Sequence, residues 1–272
     1  MNDEPIRIWD AAYGSHERQR FDLILPAHYE NRRGLILFLH GGAWIGGDKA
    51  GYREELELWC EKGWAAASMN YHYLAPDARM DTLTGDITLA LYAIRAKAAA
   101  CGIRLTRALL TGISAGGHLS LLYAYAFADT APIRPVCVVD YAGPALLTDE
   151  ELIYGTPKRY PPEEKWTELF SNLTGLPFTE ENMEENFARL RRYSPVCHIT
   201  EVSPPTIIVH GMKDDVVPYS NAAALRDGLE ACGVEYVFMP MPETGHSLEH
   251  PAWEESRLLF EAWAKRFLDG EE

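Results

Sequence analysis

Short runs of consecutive apolar residues alternate along this chain with longer stretches in which apolar positions recur every three or four residues. Runs of the first kind, bounded by Gly, Pro or polar turns, predict strands buried on both faces; stretches of the second kind predict helices. Strands are predicted at 21–25 (ended by Pro26), 34–39 (GLILFL), within 64–73, at 107–113, 135–141 (PVCVVDY), 206–209 and 234–239. Helices are predicted at 83–100, closed by Gly102, at 115–128, at 221–232, stopped by Gly233, and at 251–268. Strand and helix alternate as they must to build an α/β fold, a mostly parallel central sheet with helices on both faces.

Residues 143–203 break this rhythm. They hold six prolines and several aromatics (Tyr154, Tyr160, Trp166, Phe170, Phe178) among polar positions. A stretch of that length is too long for an ordinary loop, so it predicts a small cap-like insertion between late strands with short helices of its own. No internal repeat or linker divides the chain, and 1–272 is expected to be one domain carrying that insertion.

Composition narrows the function classes. Apolar residues make up 47% of the 272 positions and charged residues 24%, the balance of a folded globular chain. The formal charge of −15 leaves no basic footprint for nucleic acid. No run approaches the ~20 apolar residues that a membrane helix needs. The first residues, Met1 to Pro5, are polar and acidic, with no basic segment leading into an apolar run, so a cytoplasmic location is expected. Five scattered cysteines, odd in number and without a CxxC pair, predict reduced thiols packed as small hydrophobes. No HExxH or clustered His/Cys spacing suggests a metal, and His72, His118, His198 and His250 are expected to be structural or surface residues.

Four segments carry chemistry, each at the end of a predicted strand. Gly112-Ile113-Ser114-Ala115-Gly116 fits G-x-S-x-G between a strand and a helix. That turn must be very tight, which strains the serine backbone and lifts its hydroxyl to the carboxyl edge of the sheet. A serine hydroxyl needs a base, and His246 sits on a Gly-containing loop after the last strand. The imidazole in turn needs an acid to hold its tautomer. Asp214 and Asp215 follow the strand TIIV; Asp214 is assigned the inward position and Asp215 a solvated turn. His40-Gly41-Gly42-Ala43-Trp44 follows GLILFL, where glycines let backbone N–H groups approach a developing oxyanion. Gly41, Gly42 and Ala115 are the expected donors, with His40 bracing the loop. Trp44 and Tyr71, together with the insertion aromatics, are expected to wall an apolar substrate pocket.

Taken together, HGGAW, SMNYHYLAP, GISAGGH, RRYSPVCHI and HGMKDDVVPY make the chain resemble bacterial carboxylesterases of the α/β-hydrolase superfamily. The nearest branches are those of hormone-sensitive lipase and of the feruloyl and acetyl-ester hydrolases. The resemblance runs from about residue 21 to 268 and implies an α/β-hydrolase fold. It places the nucleophile on Ser114, the acid on Asp214 and the base on His246, in that superfamily's chain order, and the oxyanion loop on Gly41-Gly42. Ala43 stands where many members have a third glycine. It implies hydrolysis of a small-molecule ester through an acyl-enzyme, with no metal or organic cofactor. A homodimer is left open as an assembly; nucleic acid and membrane are not expected partners. Two other readings stay open: an arylformamidase or other amidase with the same residues, and a non-enzymatic ligand-binding protein on the hydrolase scaffold.

Overall fold

The computed structural model describes residues 4–29, 34–160, 162–248 and 250–269; Met1 to Asp3 and the side chain of His250 lie outside what it describes. Its strands are β1 (Ile6–Ala12), β2 (Arg20–Leu25), β3 (Leu35–Leu39), β4 (Ala65–Met69), β5 (Arg107–Ile113), β6 (Arg134–Tyr141), β7 (Thr206–Gly211) and β8 (Tyr236–Met241). They form one sheet in the order β1-β2-β4-β3-β5-β6-β7-β8. β1 and β2, and β2 and β4, pair antiparallel; every other pair is parallel.

Alternation along the central strands assigns the two layers. In β3, Leu35, Leu37 and Leu39 join one buried cluster, and Ile36 and Phe38 join the other. β5 repeats this, with Ala108 and Leu110 on the first face and Leu109 on the second. The first face is covered by α2 (Met80–Ala100), α3 (Ala115–Ala126) and α7 (Tyr219–Ala231), through residues such as Ile87, Leu119 and Leu225. The second is covered by α1 (Arg53–Glu61) and α8 (His250–Leu268), through Leu56, Trp59, Phe260 and Trp263. A parallel sheet so covered exposes the carboxyl ends of β3, β5, β7 and β8 along one edge, where α/β folds place ligands.

The predicted strands and helices are present, with ends shifted by a few residues. Two elements have no counterpart in the apolar pattern. β1 is an edge strand, half exposed, so it lacks a continuous buried run. The sequence of α1, REELELWCE, shows only Leu56, Trp59 and Cys60 to the core, a stripe one turn long in a charged segment. Between β6 and β7 the chain forms a π-helical turn (Glu151–Gly155), α4 (Thr156–Arg159), α5 (Glu163–Thr174) and α6 (Met183–Tyr193). Among the described residues no helix is long and apolar enough to cross a membrane.

Candidate active site

The turn from β5 into α3 is as tight as the motif requires. Ser114 has φ +57° and ψ −123°, a conformation that costs a non-glycine residue ~1–3 kcal/mol. Glycine is enforced on both sides of it. A Cβ on Gly112 would lie 2.3 Å from the Leu39 carbonyl oxygen, and one on Gly116 would lie 1.9 Å from the same atom. The helix therefore starts directly against the end of β3, and Ser114 stands half-buried at the sheet edge.

The loop after β3 bends through three consecutive residues with positive φ: Gly42 (+110°), Ala43 (+49°) and Trp44 (+60°). Only the first demands glycine, since the other two values lie in the left-handed region that an L-residue can occupy at a cost. Ala43 in the third position is thus compatible with the bend. The turn is closed by the Ile45 N–H donating to the Gly42 carbonyl at 3.0 Å. Gly41 approaches the serine closely, for a Cβ there would come 3.5 Å from Ser114 Cβ. The backbone N–H groups of Gly41, Gly42 and Ala115 have no acceptor among the described residues.

Three side chains hold this loop from behind. His40 is buried; burial holds its imidazole down at about 4, so it is neutral at neutral pH. Its Nδ1–H donates to the Gly41 carbonyl at 2.8 Å, and its Nε2 accepts from Arg18 at 3.2 Å. Tyr71 stacks on the His40 ring at 4.2 Å and donates its hydroxyl to the His40 carbonyl at 2.6 Å. Trp44 donates its indole N–H to His118 Nδ1 at 3.2 Å, and His118 Nε2–H donates to the Tyr193 carbonyl at 2.8 Å. Tyr71 has no exposed surface and Trp44 only 6%, so neither presents a wall to a ligand. The expectation that Trp44 and Tyr71 line a substrate pocket is corrected: both are supports beneath the loop.

The loops after β7 and β8 are zipped together by backbone bonds, Met212 N–H to the Met241 carbonyl at 2.9 Å and Lys213 N–H to the Thr244 carbonyl at 3.0 Å. This pairing brings Asp214 to His246. His246 Nδ1–H donates to Asp214 Oδ2 at 2.8 Å, and His246 Nε2 lies 3.0 Å from Ser114 Oγ. Asp214 is buried, and its Oδ1 accepts the N–H groups of Val216 at 2.9 Å and Val217 at 2.8 Å. Burial pushes this carboxyl up, but hydrogen bonds from His210 and His246 outweigh it and hold it at about 2. Asp215, one residue on, is exposed, and its carbonyl accepts from Arg159 at 2.9 Å. The structure thus brings Ser114, His246 and Asp214 into one hydrogen-bonded chain, with free N–H groups beside the serine.

The segment between β6 and β7 touches this site at the acid loop. Thr156 donates to the Val216 carbonyl at 2.9 Å. Its aromatics divide: Phe170 is buried and stacked on Phe178 at 5.1 Å, Trp166 donates to the Tyr160 carbonyl at 2.8 Å, and Tyr154 and Tyr160 are exposed. Phe170, Phe178 and Trp166 belong to the first-face cluster.

A second acid and a second histidine lie under the site, and no motif announces them. Asp140, near the end of β6, is fully buried; its Oδ1 accepts the Gly143 N–H at 3.1 Å, and its Oδ2 has no partner among the described residues. In the pairing of β6 with β7, Asp140 faces Ile208, which places His210 two residues further along the same face. His210 donates Nε2–H to the Val217 carbonyl at 2.9 Å and sits 3.3 Å from Asp214 Oδ2, while its Nδ1 has no partner among the described residues. Burial raises the Asp140 carboxyl to about 7, with His210 and the Gly143 N–H opposing the rise. The unfolded chain therefore releases this proton near pH 4 and the folded chain near 7. Stability is lost as pH rises through that window and is level above it. Asp140→Asn keeps an acceptor for Gly143 and removes the titration. Its melting temperature relative to wild type is expected to rise from pH 4 to pH 8, by the equivalent of a few kcal/mol. Thermal melts across that range check this, and an offset that does not change with pH contradicts it.

Among the described residues, no group of three or more His, Cys, Asp or Glu side chains could hold a metal ion. Comparison with known proteins gives consistent matches. The BD-FAE family model matches residues 21–229. Esterase LipC of Mycobacterium tuberculosis is 26% identical over 221 residues, 79% of this chain and 53% of its own length. The probable carboxylic ester hydrolase LipM of the same organism is 26% identical over 225 residues, 79% of this chain and 49% of its own. The chain thus spans about half the length of the curated relatives it matches. Among solved structures, an inhibited esterase B from Lactobacillus rhamnosis superposes with TM-score 0.77 at 20% identity, over 98% of this chain and 88% of that one. A truncated carbohydrate esterase from gut microbiota superposes with TM-score 0.76 at 19% identity, over 96% of each chain. The shared fold is the α/β-hydrolase fold.

Proposed function

The chain belongs to the BD-FAE family, and on that premise we propose that it is a serine carboxylic-ester hydrolase working through Ser114, His246 and Asp214. The observation that carries this reading is the continuous chain of contacts, 3.0 Å from Ser114 Oγ to His246 Nε2 and 2.8 Å from His246 Nδ1 to Asp214 Oδ2. With Asp214 accepting the Nδ1 proton, Nε2 is left bare toward the serine. Ser114 Oγ attacks the ester carbonyl as His246 takes its proton. Negative charge then collects on the carbonyl oxygen, beside the free N–H groups of Gly41, Gly42 and Ala115 and the N-terminus of α3. The alcohol departs with the proton from His246, leaving an ester of Ser114. Water attacks that ester by the same route and restores the serine.

An amide would pass through the same groups, so the leaving group decides between this reading and a formamidase. Steady-state hydrolysis of p-nitrophenyl acetate, butyrate and octanoate, methyl ferulate and N-formylkynurenine separates them. Serine-dependent turnover of the esters is the expected result. Turnover confined to N-formylkynurenine, or no turnover at all, overturns the proposal.

A further inference from the structure

Backbone donors aim only as well as their peptide planes are held. The Gly42 N–H shares its plane with the Gly41 carbonyl, and in a trans peptide the two point opposite ways. His40 Nδ1–H donates to that carbonyl at 2.8 Å. The bond turns the Gly41 oxygen toward the buried imidazole and the Gly42 N–H away from it. A bare Nδ1 in the same place would set a lone pair against the carbonyl oxygen, and the plane would lose its anchor. Which ring nitrogen of His40 carries the proton therefore decides whether the donor is held.

The other nitrogen, Nε2, meets Arg18, in the turn between β1 and β2, at 3.2 Å. A guanidinium has donors and no acceptor, so Nε2 must be the bare nitrogen and Nδ1 the protonated one. Burial above all, aided by the Arg18 charge, holds this imidazole at about 4, so a second proton does not blur the choice. The guanidinium is itself fixed on several sides. Its Nε donates to the Tyr71 carbonyl at 2.8 Å, its Nη2 also reaches the Gly47 carbonyl at 3.2 Å, and it lies 3.6 Å from the centre of the Tyr73 ring. Gly47 in turn closes over the bond between His40 and Gly41. A Cβ there would fall 2.3 Å from the Gly41 oxygen and 2.5 Å from His40 Nδ1.

We propose that Arg18 is a positioning residue for the oxyanion donors: it fixes the His40 tautomer and, through it, the direction of the Gly42 N–H. The proposal rests on the reading of Ser114 as an esterase nucleophile. Arg18 acts only through His40 and the Gly41–Gly42 peptide.

Arg18→Met keeps the stem of the side chain and removes every donor. With p-nitrophenyl butyrate, kcat per active site titrated with a phosphonate ester is expected to fall at least about tenfold, with KM within about threefold of wild type. That is part of the roughly 10²–10³-fold that losing a whole oxyanion donor costs. The Ki of a trifluoromethyl ketone, whose adduct with Ser114 carries an oxyanion, is expected to rise by the factor by which kcat/KM falls. His40→Asn supplies an amide NH₂ for the Gly41 carbonyl whose protons do not depend on Arg18. In that background Arg18→Met is expected to cost less than about twofold. Nitrogen NMR of protein carrying isotope-labelled histidine, with the His40 signals assigned by their absence in His40→Asn, is expected to show the proton on Nδ1 in the wild type and a mixture of tautomers in Arg18→Met.

A wild-type His40 protonated on Nε2 overturns the proposal. So does Arg18→Met with a lowered melting temperature but an unchanged kcat per titrated site, or an equal cost of Arg18→Met in the two backgrounds. The kcat and ketone readings on Arg18→Met decide the matter even where His40→Asn does not fold. Absence of Ser114-dependent hydrolysis in the wild type is a different result, the failure of the esterase reading itself, and the nitrogen spectra then still decide the link from Arg18 to His40.

Discussion

Ser114→Ala is expected to lower kcat for p-nitrophenyl acetate by about 10⁵–10⁶-fold while leaving the protein folded. The size follows from what disappears. Alanine retains the backbone and the N–H groups of Gly41, Gly42 and Ala115, so a bound ester still meets its oxyanion donors. It offers no atom to attack the carbonyl. What remains is water acting without covalent catalysis, above background only through those donors and binding. Folding is spared because, among the described residues, the side-chain partner of Ser114 Oγ is His246 alone, and the hydroxyl caps no helix N–H. The unfavourable φ of +57° persists in the variant, since alanine and serine meet the same backbone limits. His246→Ala is expected to cost a similar factor, and the double variant little more than either, because the two groups act on one proton. Titration of active sites with a phosphonate ester checks the origin of any residual rate. Retention of even a hundredth of the wild-type kcat by a homogeneous Ser114→Ala preparation removes Ser114 from the role of nucleophile.

The strand runs and the G-x-S-x-G turn were legible because their causes are local. A continuous apolar strand needs only its own residues to declare that both faces are buried, and the glycines around Ser114 are dictated by a clash with the neighbouring strand that any such turn must meet. α1 was not legible because three core-facing residues in a charged nonamer make too short a stripe to stand out. Tyr71 and Trp44 illustrate a different limit. An aromatic beside a glycine-rich loop satisfies the pattern of a pocket wall and of a buried brace equally well. Which one it becomes depends on partners distant in sequence, the His40 carbonyl for Tyr71 and His118 for Trp44. The same holds for Asp140 and His210. Each sits in a strand that reads as ordinary core, and only the pairing of β6 with β7 sets the two polar groups on one buried face.

The choice between the neighbouring acids Asp214 and Asp215 has an equally sharp consequence. Asp214→Asn is expected to reduce kcat by about 10⁴-fold, whereas Asp215→Asn is expected to stay within about threefold of wild type. In the wild-type protein Asp214 Oδ1 is occupied by the N–H groups of Val216 and Val217, and Oδ2 faces His246 Nδ1. An asparagine fits this frame in only one orientation. Its carbonyl oxygen must take the two backbone donors, which turns its NH₂ toward His246. Nδ1 must then accept, so the neutral imidazole carries its proton on Nε2, facing Ser114, and cannot remove the serine proton. The imidazolium formed during attack also loses its counter-charge. The native carboxyl, held at about 2, stays ionised across the whole range in which an esterase would be assayed. The loss in Asp214→Asn is therefore expected at every pH from 5 to 8, without a break that could be ascribed to protonation of the acid. Asp215 supplies none of this, because its side chain is exposed. Equal losses in the two variants, or a larger loss at Asp215, would mean that a different carboxylate orients His246, and Asp140 is too deeply enclosed beneath β6 and β7 to take that place without rearrangement of the sheet edge.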